Sequence, residues 1–256
     1  MVSNGYWPEH LVQVKVDGVW AKATYTGGGE VIITGRSGNQ IGSLHLCPWA
    51  QLHLCQEGQG SWDITGEWVG GVFYAFDSLT YAESEYAQRT AHLDLIASIG
   101  IDGIEVLGSH PITELDALWD ATLDQPEAYD GIIIIDPSQP YNAQPHIKCK
   151  HEVVTDMVVT ALLYSESGHY EGSPHGVQGA YWVDGKLVDV CKVPNMPHKY
   201  TKQMAKDPES FIGRVFEAKG QKLFEKTGSL RHPVFCRFRE DKPVHECTNP
   251  ILTRGS

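Results

Sequence analysis

Apolar and polar residues alternate near the start of the chain. Residues 11–19, LVQVKVDGV, follow this alternation until Gly18 interrupts it. Because successive side chains of a strand point to opposite faces, the pattern predicts a strand with Lys15 on the face opposite Val14 and Val16. The sequence therefore predicts a lysine that projects from a strand just before a tight turn.

Further strands are predicted by short apolar runs bounded by glycines. Residues 27–29 are three glycines that predict a turn, and residues 30–34, EVIIT, predict a second strand. That strand ends in GRSGN, residues 35–39, a loop whose backbone amides are free to meet a ligand. WVGGVFYAF, residues 68–76, predicts one buried strand, and GIIIID, residues 131–136, is too short and β-branched for a helix and predicts a core strand.

Two segments have the periodicity of helices. Residues 84–99 mix polar and apolar residues at helical spacing, and residues 112–123 repeat that pattern. In the second segment the apolar side chains share one side of the predicted helix: Ile112, Leu115, Leu118 and Trp119. The first part of the chain is therefore expected to combine strands and helices.

The character of the chain changes near residue 152. Five strands are predicted beyond this point: 153–164, 179–183, 186–193, 214–220 and 234–240. One short helix is predicted over 202–212, although Pro208 and Glu209 lie inside it. Five strands in a segment of this size are typical of the OB fold, a small barrel that often binds nucleic acids.

These patterns predict two domains with a short hinge. We expect a first domain over residues 1–152, a second over 153–248 and a tail over 249–256, with the hinge around 150–153. At 256 residues and 41% hydrophobic, with seven Trp and eleven Tyr, the chain is able to bury one large core or two modest ones.

Localisation is expected to be cytoplasmic. No segment approaches the roughly 20 apolar residues of a membrane-spanning helix, and residues 1–10 lack the basic and apolar regions of a signal peptide. The chain is therefore expected to contact no membrane.

The six cysteines form no recognisable metal or disulfide pattern. No CxxC pair or short Cys/His spacing occurs among them, which argues against both a zinc site and a disulfide framework. His45 and His53 frame a Cys-containing segment, but ordinary packing is the favoured interpretation because no second ligand pair accompanies them.

The charge is unevenly distributed. The formal net charge of −12 argues against a polyanionic partner, because contacts to phosphates depend on positive charge. Over residues 1–152, six Lys and Arg oppose twenty Asp and Glu, whereas over 153–242 thirteen oppose eleven. Contact with a polyanion is therefore expected from the second domain and from a local cleft. Lys192, Lys199, Lys202 and Lys206 are candidates for a DNA-facing strip, although a solvated face is the commoner explanation of such spacing.

The candidate catalytic and binding residues are charged residues at the ends of predicted strands. Lys15-Val16-Asp17-Gly18 by itself is compatible with a surface lysine before a turn. Further charged residues follow in order, each beside an apolar run: Arg36, Glu67, Asp130, Lys148 and Lys150. Acids and bases embedded in strand ends need partners, which favours a functional interpretation of Glu67 and Lys150.

This ordered series resembles the covalent nucleotidyltransferase superfamily of DNA ligases, RNA ligases and mRNA capping enzymes, over nearly the whole chain. The resemblance implies that Lys15 is the nucleophile, that Glu67 binds the ribose and that Phe76, in YAFDSL, stacks on the base. It also implies that Asp130, with Glu67, holds a divalent metal and that Lys148 and Lys150 bind the α-phosphate. Gln13 stands at the position where, in this family, a side chain or a backbone carbonyl often contacts the adenine amino group. Arg36 is a candidate for contact with the ribose, with a nick 5′-phosphate or with Glu30.

The C-terminal run GSLRHPVFCRFREDK, residues 228–242, resembles the end of a DNA ligase OB domain. The resemblance places the RxDK motif at Arg239, Asp241 and Lys242, which would approach the pyrophosphate of ATP in the first step and then move away. It implies an α/β nucleotidyltransferase domain with antiparallel sheets followed by a β-barrel OB-fold domain. The compact arrangement resembles ligases of bacteriophages and other viruses, which serve DNA replication and repair.

The resemblance also implies cofactors and partners. We expect ATP rather than NAD, because NAD-dependent ligases carry an additional domain before the lysine and only fourteen residues precede Lys15. The other expectations are Mg²⁺ (or Mn²⁺), nicked double-stranded DNA as the partner, and a monomer without protein partners. Chemically, an amine nucleophile must be deprotonated, and nearby positive charge favours its neutral form.

Two departures from the family pattern keep alternatives open. The family's KxDGxR motif usually ends in arginine, where this chain has Trp20, so Lys22 or Arg36 is expected to compensate. Asp130 replaces the more usual glutamate, so its shorter side chain is expected to reach the metal through water. An RNA ligase is the main alternative enzyme, a degenerate nucleotidyltransferase that binds nucleic acid without catalysis is the non-enzyme alternative, and a capping enzyme is less favoured.

Overall fold

A computed structural model describes residues 9–58, 60–143, 147–167, 171–249 and 252. The chain divides into two compact units, Met1–Lys150 and His151–Ser256. The tail predicted over 249–256 lies, apart from Asn249 and Leu252, outside the described residues. No helix in the described part of the chain is long and apolar enough to cross a membrane.

The first unit contains two sheets and three α-helices. In chain order its elements are β1 (Leu11–Val16), β2 (Val19–Tyr25), β3 (Glu30–Gly35), β4 (Gln40–His45), α1 (Pro48–Gln56), β5 (Trp62–Val69), β6 (Val72–Ser78), α2 (Tyr86–Ile99), β7 (Ile104–Val106), β8 (His110–Pro111), α3 (Leu115–Leu123), β9 (Tyr129–Ile135) and β10 (Ile147–Lys150). The six-stranded sheet has the order β4-β3-β2-β5-β6-β7 and the four-stranded sheet has the order β10-β9-β1-β8. The expectation of purely antiparallel sheets is wrong at one pair, because β6 and β7 run parallel.

The larger sheet is positioned by its apolar face. Along β2 the side chains of Ala21, Ala23 and Tyr25 are buried in a core that also includes residues of α2. The alternate residues of β2, beginning with Trp20, therefore point away from that core. The alternation of residues along β2 thus decides which side chains are buried in the core and which lie on the opposite face of the sheet.

The prediction of a single strand over 68–76 is wrong. β5 ends at Val69 and β6 begins at Val72, and the two strands pair antiparallel as a hairpin. Gly70 and Gly71 have φ of 57° and 96°, a region that favours glycine and reverses the chain. Because apolar residues flank the two glycines, a prediction based on hydrophobicity alone does not detect this turn.

The helix predicted over 112–123 is present in two parts. A 3₁₀ turn covers Ile112–Glu114 and α3 continues from it. The four residues predicted to share one side are half-buried, whereas Thr113, Glu114, Asp116 and Asp120 are exposed. The helix predicted over 84–99 is α2, which ends at Gly100 in the left-handed conformation, φ 66°.

A buried ion pair joins β6 to α2. Arg89 and Asp77 have side-chain exposures of 0% and 2%, and Arg89 Nε lies 2.7 Å from Asp77 Oδ1. Arg89 Nη1 also donates to the carbonyl oxygens of Ser84 and Gln139, at 2.7 and 2.9 Å. One guanidinium therefore connects the sheet, the start of α2 and the loop that follows β9.

The second unit is built on one antiparallel sheet. Its elements are β11 (Val153–Tyr164), β12 (Pro174–Val183), β13 (Lys186–Val193), α4 (His198–Lys206), β14 (Val215–Gly220) and β15 (Val234–Phe238). The strand order is β13-β12-β11-β14-β15, so all five predicted strands are present. Among the described residues no pairing joins β13 to β15, and the closed barrel stays a prediction.

The helix prediction in this unit is wrong in its bounds. α4 begins at His198, earlier than predicted, and ends at Lys206. Pro208 begins a separate 3₁₀ turn over Glu209–Phe211, because proline cannot donate the backbone hydrogen bond that would continue α4. Phe211 instead joins an aromatic cluster, with its ring centroid 5.6 Å from that of Phe238.

The buried ion pair generates a stability prediction. Arg89→Ala leaves the Asp77 carboxylate buried without its cation, and we expect a loss of about 3–5 kcal/mol in the free energy of unfolding, measured by urea denaturation. Lys22→Ala is the matched control, because Lys22 and Asp63 form a partly exposed pair at 3.4 Å worth at most about 1 kcal/mol. Replacing Arg89 and Asp77 together by leucine should recover much of the loss, and equal effects of Arg89→Ala and Lys22→Ala would contradict this role.

Candidate functional site

A cavity of about 310 Å³ lies in the first unit, with walls from both sheets. Its lining combines cations, carboxylates, aromatic rings and aliphatic side chains: Gln13, Lys15, Trp20, Arg36, Glu67, Phe76, Asp77, Ile133, Ile135, Tyr141, Lys148 and Lys150. Of the residues selected from the sequence, the cavity brings together Gln13, Lys15, Arg36, Glu67, Phe76, Lys148 and Lys150.

One wall is the four-stranded sheet, where strand register places the lysines side by side. Lys15 of β1 and Lys150 of β10 both pair with Gly131 of β9. Two residues further along β9, Ile133 likewise pairs with Gln13 on one side and with Lys148 on the other. Two parallel rows of side chains therefore line the same face of this wall.

Gly131 permits this close arrangement. Its φ is 139°, and a Cβ atom there would lie 2.1 Å from the Cys149 carbonyl oxygen. Any side chain would therefore push β10 away from β9 and separate Lys150 from Lys15.

A β-bulge directs Asp130 toward the lysines. Lys15 pairs with Gly131 but Val16 pairs with Tyr129, so Asp130 is an additional residue in β9. Asp130 Oδ2 lies 2.9 Å from Lys15 Nζ and 3.9 Å from Lys150 Nζ. Side-chain exposures of 14% for Lys15 and 10% for Asp130 place this ion pair largely out of solvent.

Glu67 faces the lysine from the other wall. Its Oε2 atom is buried and has no hydrogen-bond partner. Burial raises the pKa of this carboxyl above its ordinary value, while Lys15 and Arg36 act in the opposite direction. An unpaired buried carboxylate oxygen marks a position prepared for a donor or a cation.

Phe76 is positioned by a second bulge. In the β5/β6 pair, Gly66 opposes Ala75 and Thr65 opposes Asp77, so Phe76 is left without a partner in the ladder. Its half-buried ring lines the cavity. Stacking on a base stays a prediction, as does a purely structural role.

The Gln13 side chain is buried and partly engaged. It is 1% exposed, and its Nε2 atom donates to the Leu107 carbonyl oxygen at 2.9 Å. Its carboxamide is therefore held in a defined orientation in the cavity wall.

Of the two cations named as substitutes for the missing arginine, Arg36 lines the cavity and Lys22 does not. Lys22 Nζ lies 3.4 Å from Asp63 Oδ2. The Arg36 guanidinium carbon lies 5.7 Å from the centre of the Trp20 ring. No ion pair joins Arg36 to Glu30 among the described residues.

The RxDK residues belong to the second unit, where they form an ion network. Arg239 donates to both oxygens of Asp241, at 2.9 and 2.8 Å. Asp156 of β11 accepts from Arg239 at 3.3 Å and from Lys242 at 2.7 Å. The Asp241 pKa is lowered to about 2, chiefly by its hydrogen bonds from Arg239, and the hydrogen bond to Asp156 raises the Lys242 pKa.

Three of the lysines proposed to face DNA occupy different positions in the second unit. Lys192 is exposed on β13. Lys199 Nζ lies 4.6 Å from the centre of the Tyr200 ring. Lys202 lines a groove of about 560 Å³ together with His175, among other residues.

Several lining residues were not selected from the sequence. Ile133 and Ile135 share the face of Gly131 because side chains two apart in a strand point the same way, so strand periodicity alone could have identified them. No sequence pattern identifies the other two. Tyr141 follows a loop, and the position of Asp77 in the cavity lining depends on the bulge in β6.

Across the described segments, no group of three or more His, Cys, Asp or Glu side chains is arranged to hold a metal ion. Asp130, which pairs with Lys15, and Glu67, which lines the cavity, are carboxylates on different sheets. A metal held there would need further oxygen ligands from a bound substrate.

No family model and no curated sequence matches this chain. Among solved structures, the one named "Pmar-Lig_Pre." matches with a TM-score of 0.70 at 15% identity, over 91% of this chain and 64% of that one. The structure named "Pmar-Lig_PreS3" matches with a TM-score of 0.69 at 15% identity, over 90% and 63%. This chain thus spans less than two thirds of the length of either.

A third solved structure comes from a study titled "DNA binding with a minimal scaffold: Structure-function analysis of Lig E DNA ligases". It matches with a TM-score of 0.65 at 17% identity, over 91% of this chain and 93% of that one. The described fold is therefore that of DNA ligases, which confirms at the level of the fold the resemblance that the motifs indicate.

The buried Glu67 generates a prediction with opposite effects on stability and binding. A carboxyl with a raised folded-state pKa binds its proton more tightly when folded, so stability falls as the pH rises from 4.5 through that pKa. Glu67→Gln should therefore have a higher Tm than the wild type at pH 7, with the difference disappearing near pH 4.5. Thermal unfolding across this range checks the sign.

The same substitution should weaken binding of a nucleotide to the cavity. Calorimetry with AMP at pH 7 provides this second measurement, and Glu57→Gln, at an exposed position after α1, serves as the control. A lower Tm for Glu67→Gln at neutral pH would show that the carboxylate has a stabilising partner.

Proposed function

We propose that this chain is an ATP-dependent DNA ligase that seals 5′-phosphate/3′-hydroxyl nicks in duplex DNA through AMP carried on Lys15. The observation that carries the proposal is the position of Lys15 in the cavity wall. Its Nζ atom lies 2.9 Å from Asp130, with Lys150 across Gly131 and Glu67 on the opposite wall. The ligase fold supports the same conclusion independently.

In the first step, the Lys15 amine attacks the α-phosphorus of ATP. The amine reacts in its deprotonated form, with its proton passing to the Asp130 carboxylate 2.9 Å away or to solvent. The cations of Lys148 and Lys150 attract the α-phosphate. A P–N bond forms, the P–O bond to pyrophosphate breaks, and the phosphoramidate retains the activation of AMP. Phe76 and Gln13 are the candidates for contact with the base.

The chemistry of the carboxylates fits a divalent cation. Mg²⁺ or Mn²⁺ is often held by one or two carboxylates together with substrate phosphates. Glu67, with an unpaired buried oxygen, and Asp130, the ion-pair partner of Lys15, are the residues that would hold it. The ion would supply positive charge that stabilises the developing charge on the phosphate oxygens.

The following two steps use the stored AMP. AMP moves from Lys15 to the 5′-phosphate of the nick, which forms a pyrophosphate linkage and frees the amine. The adjacent 3′-hydroxyl then attacks that 5′-phosphate, closes the backbone and releases AMP. Nicked duplex DNA is therefore the proposed partner of a monomeric enzyme, bound mainly through its phosphates.

The second unit supplies the remaining proposed contacts. Arg239 and Lys242 would neutralise the pyrophosphate of ATP during the first step and withdraw before DNA binds. Lys192, Lys199 and Lys202, which are exposed, would contact the DNA backbone. Arg36 would contact a phosphate or the ribose from the cavity side.

The proposed lysyl-AMP intermediate generates a prediction for Lys15. Wild-type protein with Mg²⁺ and α-³²P-ATP should acquire covalent label, which a nicked duplex then removes as a sealed strand forms. Lys15→Ala should acquire no label, yet should seal pre-adenylylated nicks, since that step does not use the lysine as a nucleophile. Lys22→Ala is the control, because that lysine pairs with Asp63 outside the cavity lining.

The other outcomes discriminate between functions. Label from ATP that only RNA ends remove would favour the RNA ligase, and a requirement for a 2′-hydroxyl next to the nick would do the same. Label from GTP would favour a capping-type enzyme. No covalent label under any of these conditions would contradict the proposal and favour a nucleic-acid-binding protein without catalysis.

A further prediction concerns Asp156, which accepts hydrogen bonds from both Arg239 and Lys242. Asp156→Asn should slow label transfer from ATP to Lys15 by about tenfold, because the two cations lose the anion that holds them together. Sealing of pre-adenylylated nicks should change less than twofold by the same reasoning. Glu152→Gln is the matched control, since its partner is Lys219 at 2.8 Å on the same sheet. Equal loss in both assays would contradict a role confined to the first step.

A further inference from the structure

Three side chains form a row across the larger sheet on the cavity side. In the β2/β5 pair, Trp20 lies directly opposite Glu67. In the β2/β3 pair, Ala21 lies opposite Gly35, so Arg36 extends beyond β3 at the level of Trp20. Trp20 therefore lies between a cation and a carboxylate, and all three residues line the cavity.

The contact between Arg36 and Trp20 has the geometry of a cation–π interaction. The guanidinium carbon lies 5.7 Å from the ring centre, within the range of about 6 Å at which the attraction is significant. Arg36 is exposed in a turn that is closed by hydrogen bonds between Gly35 and Asn39 and between Gly38 and Gly35. Without the ring, a long side chain on such a turn would sample many rotamers.

The group that Arg36 contacts directly is the uncharged Trp20 ring, and the Glu67 carboxyl interacts with Arg36 only through the longer-range effect of its charge. In the part of the chain that the structure describes, no carboxylate lies within the ion-pair distance of 4.0 Å from the Arg36 guanidinium. A carboxylate would hold the cation more firmly but would also neutralise it, and an incoming anion would then have to displace it. An aromatic face restrains the guanidinium while its N–H donors stay available.

We propose that Trp20 is a positioning residue that holds the Arg36 guanidinium over the cavity for a phosphate group of the substrate. The inference rests on the proposed ligase function and deepens it. The Trp20 ring on β2 holds the Arg36 side chain that follows β3. Positive charge therefore lies at the cavity although residue 20 itself is uncharged. The phosphate belongs either to the nucleotide or to the nick, and the two are separated by the assays below.

The experiment compares Trp20→Leu with Trp20→Phe. Leucine retains apolar packing at the half-buried position but has no ring face, whereas phenylalanine retains the face. Trp20→Leu should raise a KM about 3- to 30-fold with kcat nearly unchanged, as a cation–π contact of ordinary strength implies. Trp20→Phe should raise the same KM less than about threefold, because a ring of lower π density still attracts the guanidinium.

Two assays locate the phosphate. A raised KM for ATP in lysyl-AMP formation would assign it to the nucleotide. A raised KM for pre-adenylylated nicked DNA, with normal lysyl-AMP formation, would assign it to the nick. Lys22→Leu on the same strand and face is the control, because its amine pairs with Asp63.

A double-mutant cycle tests the coupling directly. Arg36→Ala should raise the same KM at least as much as Trp20→Leu, and the double variant should be no worse than Arg36→Ala, because the ring acts through the guanidinium. Additive effects, equal effects of leucine and phenylalanine at position 20, or an unchanged KM in Trp20→Leu would overturn the inference.

The failures of the two proposals are distinguishable. If the wild type forms no lysyl-AMP, the ligase proposal itself fails. If the wild type forms lysyl-AMP and seals nicks but the cycle is additive, only the role of Trp20 fails. A Tm for each variant within a few degrees of the wild type assigns its KM change to the site, and a KM change that instead follows Tm across all variants would contradict the positioning role.

Discussion

The candidate site depends on the close approach of three strands around one glycine. Lys15 and Lys150 both lie opposite Gly131, and the absence of a side chain there lets the Cys149 carbonyl come within contact distance. The row Lys15–Gly131–Lys150 sets the separation between the proposed nucleophile and the cation proposed to bind the α-phosphate. Because the row is formed by backbone hydrogen bonds of a sheet, the spacing of the two lysines is determined by the fold rather than by their flexible side chains.

Two irregularities in otherwise regular sheets complete the cavity. A bulge in β9 turns Asp130 toward the lysines, and a bulge in β6 frees Phe76 from the ladder. Each adds one residue to a strand and redirects a side chain that regular alternation would place elsewhere. The cavity is also lined by four of the cations of a unit rich in carboxylates, so the proposed attraction of phosphates is local and does not require a basic surface.

Much of the fold was predictable because the burial of side chains follows the periodicity of apolar residues in the sequence. β1, β3, β9, α2 and the five strands of the second unit are confirmed from alternation or helical spacing. The errors occurred where a backbone property outweighed hydrophobicity: Gly70 and Gly71 reverse the chain inside an apolar run, and Pro208 ends a helix that the pattern continued. The parallel β6/β7 pair and the register of the strands involve partners far apart in sequence, which local pattern does not specify.

The sequence by itself determined the order of the charged positions, the likeness of that order to nucleotidyltransferases, and the strand that projects Lys15. Only the tertiary structure decided that β1 lies between β9 and β8, that Glu67 faces the lysine from a second sheet, and that the Arg36 guanidinium lies over the Trp20 ring. The physical reason is that side-chain identity and period are local properties of the chain, whereas register, bulges and the facing of two sheets arise from contacts between distant segments.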